Sequence, residues 1–174
     1  VAGNGYAQPL GTAFPDTVGY DSDKVTGQSY DPDKAAELLK EAGYEDTDGN
    51  GFVEKDGQEL VITISLSSSS STAVSEALQD LWQTAGVHTE IEMLENVKDK
   101  RDSGDFDVIF DGWQTVNAGD GQYYLASRWQ TGGTDNYGKY SSEEFDAVMK
   151  KLDEAFDQEE RVEAFVEAQQ ILAD

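Results

Sequence analysis

The sequence predicts an α/β domain with a mixed sheet flanked by helices. Three observations predict it: a strand, a helix and a second strand follow one another within about 35 residues, as in a parallel crossover unit; two helical patterns with capping-box spacings end the chain; and no repeat of 20 to 50 residues interrupts this order. A chain of 174 residues is one domain by default and long enough to bury a core. Its hydrophobic fraction of 37%, with seven Phe, eight Tyr and three Trp, supplies the apolar surface needed to offset the entropy of ordering.

Residues 1–30 carry Gly, Pro, Asp and Ser at turn-forming density with no sustained period, and read as an extended surface segment. Asp31 then offers a capping carboxylate before Pro32 at a first helical position. Ala35, Leu38, Leu39 and Ala42 recur at helical spacing and Gly43 closes the pattern, so 32–42 is an amphipathic helix. Leu60, Ile62, Ile64 and Leu66 alternate with Val61, Thr63 and Ser65, a strand apolar enough on both faces to be central. Ser67 to Ser71 is a loop between that strand and a helix marked by Ala73, Ala77, Leu78, Leu81, Trp82 and Ala85 and ended by Gly86. Val87, Thr89, Ile91 and Met93 form the second strand, parallel to the first.

A charged helical stretch from Glu95 to Asp102 leads to a third short strand at Phe106, Val108, Ile109 and Phe110. From 112 to 140 the chain is rich in Gly, Tyr, Trp and Asn and only briefly periodic. Ser141 with Glu144, and Asp157 with Glu160, have capping-box spacing. They precede two apolar series, Phe145, Val148, Met149, Leu152 and Val162, Phe165, Val166, Gln169, Leu172. Open α/β sheets bind ligands outside the carboxyl ends of their strands, which directs attention to the segment after Asp111.

Charge narrows the function. With 36 acidic and 12 basic residues the net is 12 − 36 = −24, which repels nucleic-acid phosphates and anionic membrane surfaces and suits high salt. Nucleic acid is excluded as a partner. The lack of cysteine removes disulfides, thiolate metal sites and cysteine nucleophiles. No apolar run approaches the roughly 20 residues of a membrane helix, and Val1-Ala2-Gly3-Asn4-Gly5 shows no targeting pattern. The stop at Ala173-Asp174, at the end of a helical pattern, reads as the edge of an excised fragment.

Asp46-Thr47-Asp48-Gly49-Asn50-Gly51-Phe52-Val53-Glu54 places oxygen donors at positions 1, 3 and 5 and glycine at 6, the opening of a calcium loop, with Asp46, Asp48 and Asn50 as ligands. Position 12 is Gly57 where a bidentate glutamate belongs, and a strand follows instead of a second helix. The competing reading is a tight turn in which Asp bonds its own backbone. Calcium is the one cofactor considered. His88, the only histidine, rules out multi-histidine zinc and reads as a surface residue; no nucleophile elbow accompanies it, so an enzyme is not expected. Neither Gly3-Asn4-Gly5 nor Gly132-Gly133 has the pattern of a phosphate loop. Trp113, Asp120, Tyr123, Tyr124, Trp129, Asn136, Tyr137 and Tyr140 combine flat apolar surfaces with hydrogen-bonding tips, suited either to a pocket for a small polar organic ligand or to a core.

Asp31-Pro32-Asp33-Lys34-Ala35-Ala36-Glu37-Leu38-Leu39-Lys40-Glu41-Ala42-Gly43-Tyr44, the Asp46 to Gly51 turn and Lys55-Asp56-Gly57 resemble the C-terminal lobe of family 5 extracellular solute-binding proteins. The likeness continues through Ala85-Gly86-Val87, Ser103-Gly104-Asp105-Phe106-Asp107, Gly112-Trp113, Asn136-Tyr137-Gly138-Lys139-Tyr140-Ser141, Phe145-Asp146-Ala147 and Gln158-Glu159-Glu160-Arg161 to Ala168-Gln169. The resemblance implies one lobe of a type II periplasmic binding protein at 31–174, with residues 1–30 as the crossover into it, Gly11 and Pro15 in family-like positions, and the N-terminal lobe of the same protein missing. It implies an extracytoplasmic protein, periplasmic or a cell-surface lipoprotein, that delivers a small peptide or a nickel or other metal chelate to an ABC permease. The implied ligand residues are Trp113, Asp120, Tyr123, Asn136, Tyr137 and Tyr140. Peptide-binding members carry an aspartate three residues after the tryptophan, where this chain has Val116; Gly119-Asp120-Gly121-Gln122-Tyr123-Tyr124 is closer to nickel- and opine-type members. The rival class is a calcium-dependent surface or adhesion module built on the Asp46 loop.

Overall fold

A computed structural model describes residues 12–110 and 112–174, so Gly3-Asn4-Gly5, Gly11 and Asp111 lie outside the described residues. The described chain divides into two compact units, residues 30–112 and residues 12–29 together with 113–174.

In the first unit, α1 (Pro32–Glu41) starts as its sequence dictates: the Asp31 carboxylate accepts the Lys34 N–H at 2.9 Å, and Gly43 leaves the helix at φ +89°. Its apolar stripe reaches no core. No α1 residue is buried, and Leu38 is 52% exposed. A hairpin follows, β1 (Glu54–Lys55) against β2 (Gln58–Glu59), joined by Asp56 and Gly57, both at positive φ as a type I′ turn requires.

The sheet is built from β3 (Val61–Ser67), β4 (His88–Leu94) and β5 (Val108–Ile109) in the order β4-β3-β5, all parallel, with Ile64 opposite both Ile91 and Val108. The central place of β3 follows from its two apolar faces; Ile64, Ser65 and Leu66 are buried. Between β3 and β4 runs α2 (Ala73–Gln83), and α3 (Val97–Ser103) joins β4 to β5. The third strand is shorter than the 106–110 expected. Asp107 turns its carboxylate to the Thr63 N–H at 2.9 Å, so a side chain takes a bond that strand pairing would otherwise supply. At the end of the α2 turn Gly86 sits at φ +82°, and a Cβ there would fall 2.9 Å from Val53 Cγ1; its carbonyl accepts the Val53 N–H at 2.8 Å. Only glycine fits so close a backbone approach.

The second unit holds the main core. Short 3-10 turns at Asp16–Val18 and Ser22–Lys24 lead into it, and three helices follow after residue 112: α4 (Gln122–Arg128), α5 (Glu143–Glu154) and α6 (Gln158–Ala173). Phe145, Val148, Met149 and Leu152 of α5 meet Ala164, Phe165 and Ala168 of α6, with Leu125 from α4. Asp157 caps α6 as expected. The cap of α5 is Ser142, one residue beyond the predicted Ser141, whose hydroxyl instead lies 3.0 Å from that of Thr131. Within 12–29 the reading of a surface segment is corrected. Phe14 and Tyr20 are buried in the same core, packed edge-on to each other and around Phe165, with Tyr20 stacked on Phe165 at 3.9 Å.

Gln169 fastens that segment. It is 2% exposed; its Oε1 accepts the Phe14 N–H (3.3 Å) and the Ser22 hydroxyl (3.0 Å), while its Nε2 donates to the carbonyls of Tyr20 (3.4 Å) and Phe165 (3.2 Å). Gln169→Leu keeps the volume and strands those backbone groups. It is expected to lower the unfolding free energy by roughly 2–4 kcal/mol in urea denaturation. A second expectation concerns the net charge of −24. Self-repulsion opposes the compact state and is screened as the Debye length shortens from about 10 Å at 0.1 M salt to about 3 Å at 1 M. Melting temperature should therefore climb with added NaCl; a flat curve would show that the repulsion is not felt.

Candidate functional site

Helix α4 carries Arg128 at its end, and this residue organises the aromatic segment. The Arg128 guanidinium carbon lies 4.4 Å from the Trp113 ring centroid and 5.8 Å from that of Tyr137. The two rings thus share one cation, an arrangement in which the ring faces attract positive charge. Arg128 Nη1 donates to the Asp135 carbonyl at 3.4 Å and the Tyr137 hydroxyl donates to the Asp135 carboxylate at 3.0 Å, which fixes the group on one loop. Trp113 remains 37% exposed and Tyr123, on the outer side of α4, 59% exposed.

Asp120 is committed on both oxygens. Oδ1 accepts the Gln122 N–H at 2.7 Å at the start of α4, and Oδ2 pairs with Arg161 Nη2 at 3.1 Å. Arg161 comes from α6; it also donates to the Gln122 side chain and to the Leu152 carbonyl, each at 3.0 Å. The cationic partner expected from a ligand is here an arginine of the chain itself. Tyr20 closes the same loop from beneath: its hydroxyl accepts the Gly121 N–H at 2.9 Å and donates to the Gly119 carbonyl at 3.2 Å. A Cβ on Gly121 would come within 2.5 Å of the Phe14 ring, so the loop lies flat on the core. Burial is the largest influence on the Tyr20 phenol and raises its pKa above the ordinary 10.0. The Gly121 bond pulls it down, Asp120 raises it and Arg161 lowers it.

Asn136 and Tyr140 have internal roles that differ from the ligand contacts expected. The Asn136 amide donates to the carbonyls of Gln130 (3.1 Å) and Tyr140 (2.7 Å), and its oxygen accepts the Tyr140 N–H at 2.9 Å. At 8% exposure it staples the 130–140 loop and has no donor left to offer. The Tyr140 ring packs edge-on to Trp129 and Phe145. Of the six residues expected together, the structure thus joins Trp113 to Tyr137 through Arg128 and Asn136 to Tyr140, and holds Asp120 apart with Arg161. Neither arginine was foreseen. Their signal was scarcity, three arginines in a chain with 36 acids.

In the first unit the Asp46 loop folds onto itself. Asp46 accepts the N–H groups of Gly49 (2.7 Å) and Gly51 (3.0 Å), Asp48 that of Asn50 (3.0 Å), and Asn50 that of Phe52 (2.8 Å). One oxygen from each of Asp46, Asp48 and Glu54 lies within 4.8 Å of the others, so the carboxylate the sequence reading omitted is Glu54, ninth in the loop. Its oxygen accepts the Thr47 N–H at 2.8 Å. Backbone donors hold these groups in the geometry of a tight turn. His88 stacks on Phe52 at 4.6 Å and pairs with Glu59, on the partly exposed flank of the hairpin.

Residues 1–136 match the family model of bacterial extracellular solute-binding proteins, family 5 Middle. The chain belongs to that family. Among curated relatives, heme-binding protein A of Haemophilus influenzae is 28% identical over 98% of the chain. The chain spans about 30% of that relative's length. A solved relative, the ABC transporter-associated periplasmic binding protein DppA of Helicobacter pylori in complex with the peptide STSA, superposes with a TM-score of 0.79 at 26% identity, covering 97% of this chain and 32% of its own. NikA of Staphylococcus aureus, solved with Ni(L-His)2, gives 0.80 at 18% identity over 97% of this chain and 35% of its own, a likeness of fold. The fold is that of type II periplasmic binding proteins, and the named relatives are binding proteins.

The Tyr20 hydroxyl makes a pH prediction. With a folded pKa above that of the unfolded chain, the folded state keeps a proton that the unfolded chain releases. The stabilisation is complete below pH 10 and is lost as pH rises through the folded value. Tyr20→Phe should abolish that alkaline slope and, by orphaning the Gly121 N–H, cost roughly 1–3 kcal/mol at neutral pH, read from denaturation curves across pH 8 to 12.

Proposed function

We propose that this chain forms part of the carboxy-proximal lobe, with residues 1–30 as the crossover into it, of a two-lobed solute-binding protein. Outside the membrane the whole protein captures a small peptide or a nickel or other metal chelate and passes it to an ABC permease. The observation that carries this reading is the family match across residues 1–136, which takes in the Trp113 to Asn136 segment after β5. Relatives whose names or complexes record heme, a peptide and nickel–histidine support a shared scaffold with variable ligand chemistry.

In this reading Trp113 and Tyr123 offer the ligand their open aromatic faces, and Arg128 holds Trp113 in orientation. A ring fixed before the ligand arrives loses less entropy on binding. Asp120, Asn136 and Tyr140 keep the loop in shape, and Tyr137 buttresses Arg128. Val116, apolar where peptide-binding members carry an aspartate, leaves that position without a charge for a free amino terminus and favours a chelate over a simple peptide. The lobe performs no bond-making step, and the Asp46 loop serves as a structural turn.

The test is thermal unfolding of the full-length protein with a dipeptide library, nickel with histidine, hemin, or calcium. A ligand that binds only the native state stabilises it by mass action, about 2.7 kcal/mol at a concentration of 100 Kd. Nickel–histidine or a peptide should raise the melting temperature, and Trp113→Ala should remove that rise while leaving the unliganded transition within a few degrees. A response to calcium alone would defeat the importer reading; an undiminished ligand shift in Trp113→Ala would move the contact away from Trp113.

A further inference from the structure

Asparagine followed by glycine is a reactive pair. The glycine carries no side chain to obstruct its amide nitrogen as it approaches the asparagine carboxamide, and their union closes a five-membered ring. Of the five asparagines in the chain only Asn4 and Asn50 precede glycine; Asn96, Asn117 and Asn136 precede Val97, Ala118 and Tyr137, whose β-carbons hinder the same approach. Asn50 and Gly51 are both exposed on the Asp46 loop. Gly51 stands at φ +94° with open space where a side chain would be, so water reaches the pair.

The loop supplies two further groups that such a ring closure uses. The Phe52 N–H donates to Asn50 Oδ1 at 2.8 Å, the oxygen on which negative charge develops when a nucleophile adds to the carboxamide carbon. A backbone donor fixed on that oxygen favours the transition state, as in an oxyanion hole. The same bond, from residue 52 back to residue 50, folds the carboxamide over the Gly51 peptide. The Gly51 proton, which has to leave, is directed at Asp46 Oδ2 at 3.0 Å. A carboxylate within hydrogen-bond reach of the proton it takes meets the geometry of a general base.

We propose that Asn50 deamidates itself in the folded protein and that the product loosens the loop. The Gly51 nitrogen forms a bond to Asn50 Cγ while its proton passes to Asp46. The Cγ–Nδ2 bond then breaks, and Nδ2 takes that proton through water and leaves as ammonia. Water opens the resulting succinimide at either carbonyl, giving aspartate or isoaspartate at position 50. Before the reaction Nδ2 donates to Asp48 Oδ2 at 3.4 Å and to Glu59 Oε2 at 3.2 Å. Afterwards a carboxylate faces both, and two attractions become repulsions. Glu59 belongs to β2 and pairs with His88 of β4, so the disturbance reaches the joint between hairpin and sheet.

The test holds the full-length protein for several weeks near neutral pH beside a synthetic peptide of residues 44–56. Both are then digested and mapped by mass spectrometry, with an isoaspartate-specific methyltransferase assay. Conversion at position 50 should run at least about tenfold faster in the protein than in the peptide. Asp46→Asn keeps an acceptor for the loop but takes up no proton, and should lose most of that advantage. Conversion no faster in the protein than in the peptide, or undiminished in Asp46→Asn, would overturn the proposal, since the loop would then shield the pair instead of activating it. Asn50→Asp makes one product directly and should melt below the wild type, the gap closing in high salt. If it melts with the wild type, the loosening is overturned.

Discussion

One buried amide holds the second unit together. Gln169 is a polar side chain in an apolar core, a costly arrangement unless every donor and acceptor finds a partner, and here all four contacts are made. Because two of those partners are backbone groups of the 14–20 segment, the amide fixes where Phe14 and Tyr20 enter the core. Tyr20 in turn supports the Gly119–Gly121 turn, from which α4 begins, and α4 ends in the arginine that orders the aromatic cluster. Position passes outward from a hydrogen bond to a surface.

That outward chain explains what the sequence could and could not disclose. Helices α1, α2, α5 and α6 and strands β3 and β4 were legible because period, cap and terminating glycine are local properties, written within a dozen residues. Helix α4 was not. It has only seven residues, its tyrosines and leucine stand consecutively at 123–125, and its start depends on Tyr20, 101 positions away from Gly121. The burial of Phe14 was hidden for the same reason: two aromatic anchors in a turn-rich stretch make no period. For α1 the pattern was readable but its partner was not, since an apolar stripe announces a surface and leaves open what meets it.

At the aromatic segment, composition singles out the residues and says nothing of how they are organised. Trp113, Tyr123, Tyr137 and Tyr140 are conspicuous residue types, but Trp113 and Tyr137 are joined only through Arg128, Tyr140 packs on Trp129 and Phe145, and Asp120 is taken by Arg161. Asp120 and Arg161 are 41 residues apart, a separation that no spacing rule recognises. The polar residues prove busy with the backbone, as Asn136 shows, because a loop lying on a core must satisfy its own carbonyls and amides first. The Asp46 loop shows the same economy: oxygens spaced as for a cation close a turn. A carboxylate's spacing describes what it can reach, and nearby N–H groups compete for it.

The bond from the Phe14 amide to Gln169 spans 155 positions. On a ribosome adding roughly 5–20 residues per second, Phe14 emerges about 8–30 s before the side chain that will hold it has been made. The strands and helices of residues 30–112 have all their partners much sooner. Through that interval Phe14 and Tyr20 lack the α6 residues that bury them, so the second unit closes only once α6 has been made.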